Sequence, residues 1–134
     1  VADRWAGGVE RAVRLTPRRG DGATVELVFT GFPGVAVRAG HGYTLLLPHC
    51  GCDACAEAPS GLARDLTETV EAIAGGGLTE SRRRRWWGRH PFSIEVRSAD
   101  GCSSASGTIE PGDEHDILPD GATTWAAWPE RTSR

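Results

Sequence analysis

Three of the four cysteines of this chain fall within six residues, at Cys50, Cys52 and Cys55. Thiolates are ligands that zinc prefers, and structural zinc sites are commonly built from short clusters of this kind. We therefore predict that these three side chains bind a zinc ion. In such a site the metal stabilises the fold by connecting the segments on either side of the cysteines, and it takes no part in catalysis.

A structural zinc ion normally has four protein ligands, so the cluster is one ligand short. The fourth ligand is expected to be His49, which adjoins the cluster, or Cys102, which lies much further along the chain. His41 and His90, through an imidazole nitrogen, and Asp53, through a carboxylate oxygen, are further candidates.

Two other interpretations of the cysteines stay open. Cys52 and Cys55 form a Cys-x-x-Cys pair between a strand and a helix, which also fits a thiol-redox protein. There the N-terminus of the helix lowers the thiol pKa and favours the nucleophilic thiolate. Free cysteine is also among the most buried residue types, so the third interpretation is inert packing under the helix.

A segment rich in arginine and tryptophan, residues 82–89, follows the predicted helix. Clustered guanidinium groups grip anionic groups, and neighbouring aromatic rings stack on flat ligands. The segment therefore predicts an interaction module for an anionic partner, such as another protein. The alternative is a solvent-exposed linker whose tryptophans pack inwards. The candidate anion-binding residues are Arg82, Arg83, Arg84 and Arg85.

The remaining motifs exclude several function classes. The acidic stretch 110–120 lacks the spacing of a calcium-binding loop. The chain has neither a phosphate-binding glycine loop nor the Gly-x-Ser-x-Gly turn of serine hydrolases. We therefore expect a domain that is not an enzyme.

Composition indicates one globular domain. The chain has 134 residues, of which 39% are hydrophobic and 25% are charged. All 15 basic residues are arginine, yet the net charge is −3, which disfavours a nucleic-acid partner. No apolar run is long enough to span a membrane, and no secretory signal opens the chain. These features, together with the few cysteines, lead us to expect a cytoplasmic protein.

Hydrophobic periodicity predicts the central elements. Apolar residues alternate at period two at 23–29, and two further short, mainly apolar runs follow at 35–38 and 43–47, with glycine-rich turns between the runs. This pattern favours a three-stranded antiparallel meander. Leu62, Leu66, Val70 and Ile73 then mark one face of an amphipathic helix that ends at the glycines 75–77. Pro59 stands either in the first turn of this helix or at a kink within a longer one that begins at Asp53.

The rest of the chain completes one domain, residues 1–134. Residues 1–22 are predicted to form a helix or an ordered arm, and residues 110–134 a tail anchored by Trp125 and Trp128. A hairpin is expected around Ala99-Asp100-Gly101, with a polar return strand at the sheet edge. The predicted class is α+β: a mainly antiparallel sheet, made of the meander and the C-terminal hairpin, packed against one main helix.

Several motifs together resemble a family of unknown function from actinobacteria that carries the signature Cys-Gly-Cys-Asp-Ala-Cys. The resemblance spans roughly residues 15–131 and implies that the cluster at 50–55 is the hallmark of the family, whereas Cys102 is not. It also implies further residues ahead of Leu15 in relatives, so that an N-terminal part is missing or shortened here. The matching motifs are the turn 30–34 with 37–40 after it, Pro48, the cluster 50–55, the helix ending in glycines with Glu80 beyond, and the segment 125–129.

Overall fold

The computed structural model describes residues 8–18, 20–31, 34–48, 58–84, 87–113 and 115–131. These residues form one helix and two four-stranded antiparallel sheets, so the predicted α+β single domain is confirmed. The elements in chain order are β1 Val9–Leu15, β2 Val25–Thr30, β3 Gly34–Ala39, β4 Tyr43–Leu47, α1 Pro59–Ala74, β5 Leu78–Arg82, β6 His90–Ser98, β7 Gly101–Ile109 and β8 Gly121–Thr124.

The first sheet has the strand order β1-β2-β3-β4. The predicted meander is confirmed as β2, β3 and β4, with Val25 opposite Ala39 and Val37 opposite Leu45. Val25 and Val37 are fully buried, because alternate residues of these strands face the core. Short connections between neighbouring strands account for the antiparallel pairing.

Strand β1 shows that the helical interpretation of the N-terminal stretch is wrong for residues 9–15. Leu15 lies opposite Val25, and Arg14 lies opposite Glu26. Val13 and Leu15, which are partly buried, repeat at the period of a strand. Pairing with β2 supplies the backbone hydrogen bonds of this segment, so the tertiary partner outweighs an apparent helical spacing.

The second sheet has the strand order β7-β6-β5-β8. The predicted hairpin is confirmed: Ser98 pairs with Gly101 across the turn Ala99-Asp100, and β7 lies at the sheet edge. The sequence led us to expect that this hairpin would extend the first sheet, and that expectation is wrong, because the hairpin belongs to the second sheet. There it joins β5, for which the sequence predicted no strand, and β8, which lies in the stretch interpreted as a tail.

Helix α1 matches its prediction closely. Pro59 is in the first turn, where its missing N–H breaks no helical hydrogen bond, so the described helix is not the longer, kinked alternative. At the other end, the backbone N–H of Gly75 donates to the carbonyl oxygen of Glu71 at 2.8 Å. Ile73 on the apolar face is fully buried in the core.

The core lies between α1 and the inward faces of the two sheets, and the tail seals it. The backbone N–H of Trp125 donates to the carbonyl oxygen of Leu78 at 3.0 Å. The indole N–H of Trp128 donates to the carbonyl oxygen of Ala23 at 2.9 Å. The predicted anchoring role of the two tryptophans is therefore confirmed. The buried apolar core residues are Ala23, Val25, Val37, Ala39, Ile73, Leu78, Ile94, Val96, Ile109 and Leu118.

Among the described residues, α1 is too short and too polar to cross a membrane.

Candidate functional site

Glu80 on β5 is a charged residue buried in the middle of the molecule, with 2% of its surface exposed. Its Oε1 accepts a hydrogen bond from the backbone N–H of Gly42 at 2.7 Å. Its Oε2 accepts from the backbone N–H of His41 and from the indole Nε1 of Trp125, both at 2.8 Å. Charge-assisted bonds of this kind compensate the cost of burying a carboxylate. Glu80 therefore connects β5, the β3–β4 turn and the tail.

The β3–β4 turn depends on glycine for this contact. Gly40 has a φ of +57°, and a Cβ built on it would lie 2.6 Å from Oε2 of Glu80 and 2.8 Å from Nε1 of Trp125. Any larger residue would have to push the carboxylate and the indole aside. The glycines that suggested only a turn in the sequence also let the backbone approach Glu80.

On the first sheet, charged and hydroxyl side chains form a row across four strands. The register places Arg14 opposite Glu26, Glu26 opposite Arg38, and Arg38 opposite Thr44. These four residues, together with Thr16, Thr24 and the β3–β4 turn, line a cleft of about 570 Å³. We call it the arginine cleft.

One carboxylate serves both guanidinium groups of the arginine cleft. Arg14 contacts Oε2 of Glu26 at 3.0 Å, and Arg38 contacts Oε1 at 3.4 Å. The row therefore keeps one net positive charge. The side chains of Arg14 and Arg38 are 69% and 40% exposed, so their remaining N–H groups can reach a ligand in the cleft. His41 borders the same cleft, and its ring centroid lies 4.8 Å from that of Trp125.

The arginine-tryptophan segment is partly engaged within the protein. Arg82, with a side chain only 11% exposed, donates to the carbonyl oxygens of Asp116 and Leu118 and pairs with Oδ1 of Asp116 at 2.9 Å. Arg84 pairs with Asp120 at 3.2 Å. These contacts attach the segment before β8 to β5. The hydrogen bond from the backbone N–H of Gly112, together with Arg82, lowers the pKa of Asp116.

Arg83 is exposed, and its backbone N–H donates to the carbonyl oxygen of Pro91 at 2.9 Å. Arg85 and Trp86 lie outside the described residues, whereas Trp87 is described and 61% exposed. Anion binding by residues 82–85 therefore stays a prediction.

The predicted zinc ligands Cys50, Cys52, Cys55 and His49 lie outside the described residues. Cys102, the other candidate, is an exposed free thiol on β7. Within the described part of the chain, no group of three histidine, cysteine or acidic side chains could hold a metal ion. The zinc prediction is thus untested by the described geometry.

Cys102 borders a second cleft, of about 390 Å³, between α1 and the turn end of the β6–β7 hairpin. Of the described residues that line this cleft, three are acidic and none is basic. We call it the acidic cleft. Tyr43 forms part of its wall, and burial raises the pKa of Tyr43, while a hydrogen bond with Thr69 acts in the opposite direction. The acidic residues are Asp65, Glu68 and Asp100.

Comparison with known protein families matches the chain to a family model. A family model described as "Family of unknown function (DUF6226)" matches residues 2–132. The chain belongs to DUF6226. Membership of a family of unknown function, predicted from the sequence motifs, is therefore confirmed. For this DUF6226 chain, neither the curated proteins nor the solved structures contain a match.

Sequence reasoning missed the role of Glu80 and the whole arginine cleft. Glu80 was named only as part of the motifs that carry the family resemblance, and a single acid between polar residues gives no signal of burial. The pairing of charges in the arginine cleft could have been predicted, because the turn between β2 and β3 fixes which residues of the two strands face each other. Glu26 and Arg38 lie at equal distances from that turn, so their opposite charges were the available signal.

Proposed function

We propose that this chain is a small binding domain whose fold is stabilised by a structural zinc ion held by Cys50, Cys52 and Cys55. The observation that carries the proposal is the presence of three thiols within six residues, in the segment that joins β4 to α1. Thiolate clusters of this spacing are typical of structural zinc sites. The ion would stabilise the folded state to the extent that it binds the folded chain more tightly than the unfolded one.

The described residues on either side of the cysteine segment support this role. Leu47 and Pro48, at the end of β4, line one apolar groove of about 420 Å³ together with Leu62 and Leu66 of α1. Both ends of the segment therefore meet at a common surface, where a bound metal can reinforce the junction. A helix N-terminus also favours nearby thiolates over thiols. His49 and Cys102 are the proposed sources of the fourth ligand.

Elemental analysis of the purified, tag-free protein, with thiol titration of the same sample, tests the proposal. We expect about one zinc ion per chain, with the clustered thiols unreactive until a chelator is added. Cys52→Ser and Cys55→Ser should lose the metal and lower the melting temperature. Ala54→Ser, in the same segment, is the matched control and should retain both.

Other results would discriminate between the alternatives. A metal-free protein whose Cys52 and Cys55 oxidise and reduce reversibly would overturn the zinc proposal and favour thiol-redox chemistry. A metal-free protein with unreactive thiols would favour buried, inert cysteines. If zinc binds, Cys102→Ser and His49→Ala decide between the two proposed fourth ligands: the variant that loses the metal identifies the ligand, and retention in both leaves His41, His90 or Asp53.

The arginine cleft favours a second function, the binding of a small anionic ligand. Two exposed guanidinium groups share a single carboxylate, and threonine hydroxyls line the same cleft. Guanidinium groups bind carboxylates and phosphates through paired N–H donors, and hydroxyl groups supply further hydrogen bonds. We therefore propose a carboxylate or phosphate compound as the ligand class.

Calorimetric titration with citrate and with inorganic phosphate tests this second proposal. We expect at least one of these probes to bind, and Arg38→Gln to weaken binding by roughly tenfold. Arg97→Gln is the control, because Arg97 is equally an exposed arginine paired with a glutamate, but it lies on the other sheet. Absence of binding by both probes, or an equal loss in both variants, would contradict the proposal.

A further inference from the structure

Among the described residues, the two sheets have four edge strands, β1, β4, β7 and β8, and three of these strands carry features that discourage pairing with another chain. An exposed edge normally avoids such pairing by being short, charged, irregular or ended by proline. β1 carries Glu10, Arg11 and Arg14, and its register shifts between Val9 and Arg11. β8 has only four residues, and the five-residue β4 is followed by Pro48.

β7 has none of these features. It runs for nine residues and pairs with β6 in unbroken register, from Ser98 opposite Gly101 to His90 opposite Ile109. Residues 101–108 are all exposed and include no charged residue and no proline. A regular, uncharged edge of this length presents a row of backbone N–H and C=O groups that an extended peptide can pair with.

The side chains of β7 leave room for such a peptide. Between Cys102 and Thr108 the residues are serine, alanine and glycine only, so no large side chain projects from either face. Gly107 leaves space for the ring of Phe92, its partner on β6, since a Cβ built on Gly107 would lie 3.1 Å from that ring. Small side chains provide no deep pockets, so backbone hydrogen bonds would supply the affinity and neighbouring charges the selectivity.

On the face of the second sheet that α1 covers, the charges next to β7 are negative. The Gly101–Ser103 end of β7 forms one wall of the acidic cleft, and α1 forms the opposite wall with Asp65 and Glu68. Ser103 lies opposite the buried Val96, so its side chain is on the face of the sheet that α1 covers. A strand added to β7 would project alternate side chains towards the same face. Arg or Lys at those positions would meet the carboxylates.

We propose that β7 is a docking edge for an extended, basic segment of a partner protein, which adds to the second sheet as a fifth strand. The alternative occupant, a second copy of this chain, fits less well. The β7 strand of that copy has no basic residue, so it would leave the carboxylates of the acidic cleft unpaired. This inference does not depend on the zinc or anion proposals.

The probe is a fluorescein-labelled heptapeptide in which arginine alternates with threonine. We expect its fluorescence anisotropy to rise on titration with the full chain. A peptide with glutamate in place of arginine, and the arginine peptide with alternate backbone nitrogens methylated, should bind at least roughly tenfold more weakly. Backbone amides in residues 102–108 should become protected from hydrogen exchange when the arginine peptide binds.

The protein variants separate edge pairing from general attraction. The double variant Asp65→Asn/Glu68→Gln alters exposed helix positions, so it should fold and yet bind the arginine peptide several-fold more weakly. Glu71→Gln, at an exposed position of α1 outside the acidic cleft, is the matched control and should bind like the unaltered chain. Ser104→Lys, which places a like charge on the edge, should also weaken binding.

Three outcomes would overturn the proposal. The first is absence of binding by the arginine peptide, and the second is binding that survives both backbone methylation and the acidic-cleft variant. The third is a concentration-dependent dimer in sedimentation analysis, with residues 102–108 protected in the absence of peptide. That last result would assign the edge to a second copy of the chain.

Discussion

Glu80 illustrates how one buried charge organises distant segments. Burial of an unpaired carboxylate is strongly unfavourable. The three hydrogen bonds that Glu80 accepts, at 2.7–2.8 Å, offset this cost and allow the carboxylate to lie in the interior. Two of these donors are backbone N–H groups of the β3–β4 turn, and the third is the indole of Trp125. A substitution at Glu80 therefore leaves several buried donors without an acceptor.

We predict that Glu80→Gln lowers the free energy of unfolding by about 3 kcal/mol, because the amide removes the charge and turns an N–H₂ group towards N–H donors. Urea denaturation measures the change. Glu95→Gln is the control: Glu95 pairs with the exposed Arg97, and its loss should cost about 0.5 kcal/mol or less. Equal costs at the two positions would contradict a central role for Glu80.

Tyr43 gives a pH-dependent prediction. Burial raises its pKa above the ordinary value of 10.0, and the hydrogen bond with Thr69 only partly opposes this. Because the pKa of Tyr43 is higher in the folded state than in the unfolded state, the neutral phenol contributes its full stability below pH 10.0. This contribution is lost as the pH rises through the folded-state pKa. The chain has one tyrosine and no lysine, so few other groups titrate in this range.

We expect urea denaturation of the unaltered chain to show a loss of stability as the pH rises above 10.0, and we expect this loss to be reduced in Tyr43→Phe. The ultraviolet absorbance of tyrosinate should report ionisation of Tyr43 in the folded protein above pH 10.0. The difference between the two proteins isolates Tyr43 from the cysteine thiols, which both contain. Identical pH profiles for the two chains would refute this assignment.

At the scale of elements, the sequence correctly predicted the helix and those strands whose main interactions lie within a short stretch of the chain. The apolar stripe of α1, its proline start and its glycine end are all contained in one segment, so the helix could be found from that segment alone. The same holds for β2, β3 and β4 and for the β6–β7 hairpin, whose turns are short and rich in glycine. Each of these elements pairs or packs with a near neighbour in the chain.

β1, β5 and β8 could not be found in this way. β5 places Glu80 and Arg82 where an alternating strand normally carries apolar residues, since both pair with partners far along the chain. β8, Gly121–Thr124, has no large apolar residue and is a strand because it pairs with β5. Such segments take their conformation from tertiary partners, and so the division into two sheets was also beyond local patterns.

For the whole molecule, the tail is the element that joins the parts. The backbone N–H of Trp128 donates to the carbonyl oxygen of Ala74 at the end of α1, and its indole N–H donates to Ala23, just before β2. The preceding residues form β8, which pairs with β5 of the second sheet. Both sheets and the helix therefore contact one short C-terminal segment, and we expect them to unfold together.

We predict that Trp128→Ala lowers the free energy of unfolding by about 3 kcal/mol, because the substitution removes a packed ring and leaves the carbonyl of Ala23 without its indole donor. Trp87→Ala is the matched control, since the side chain of Trp87 is 61% exposed and its loss should change stability by about 0.5 kcal/mol or less. Urea denaturation followed by both circular dichroism and tryptophan fluorescence measures both changes.

In each of the three proteins, the curves from circular dichroism and from fluorescence are expected to coincide, because the tail makes the sheets one cooperative unit. Separate transitions in the unaltered chain, or equal losses in the two variants, would show that the sheets are stable without this anchor.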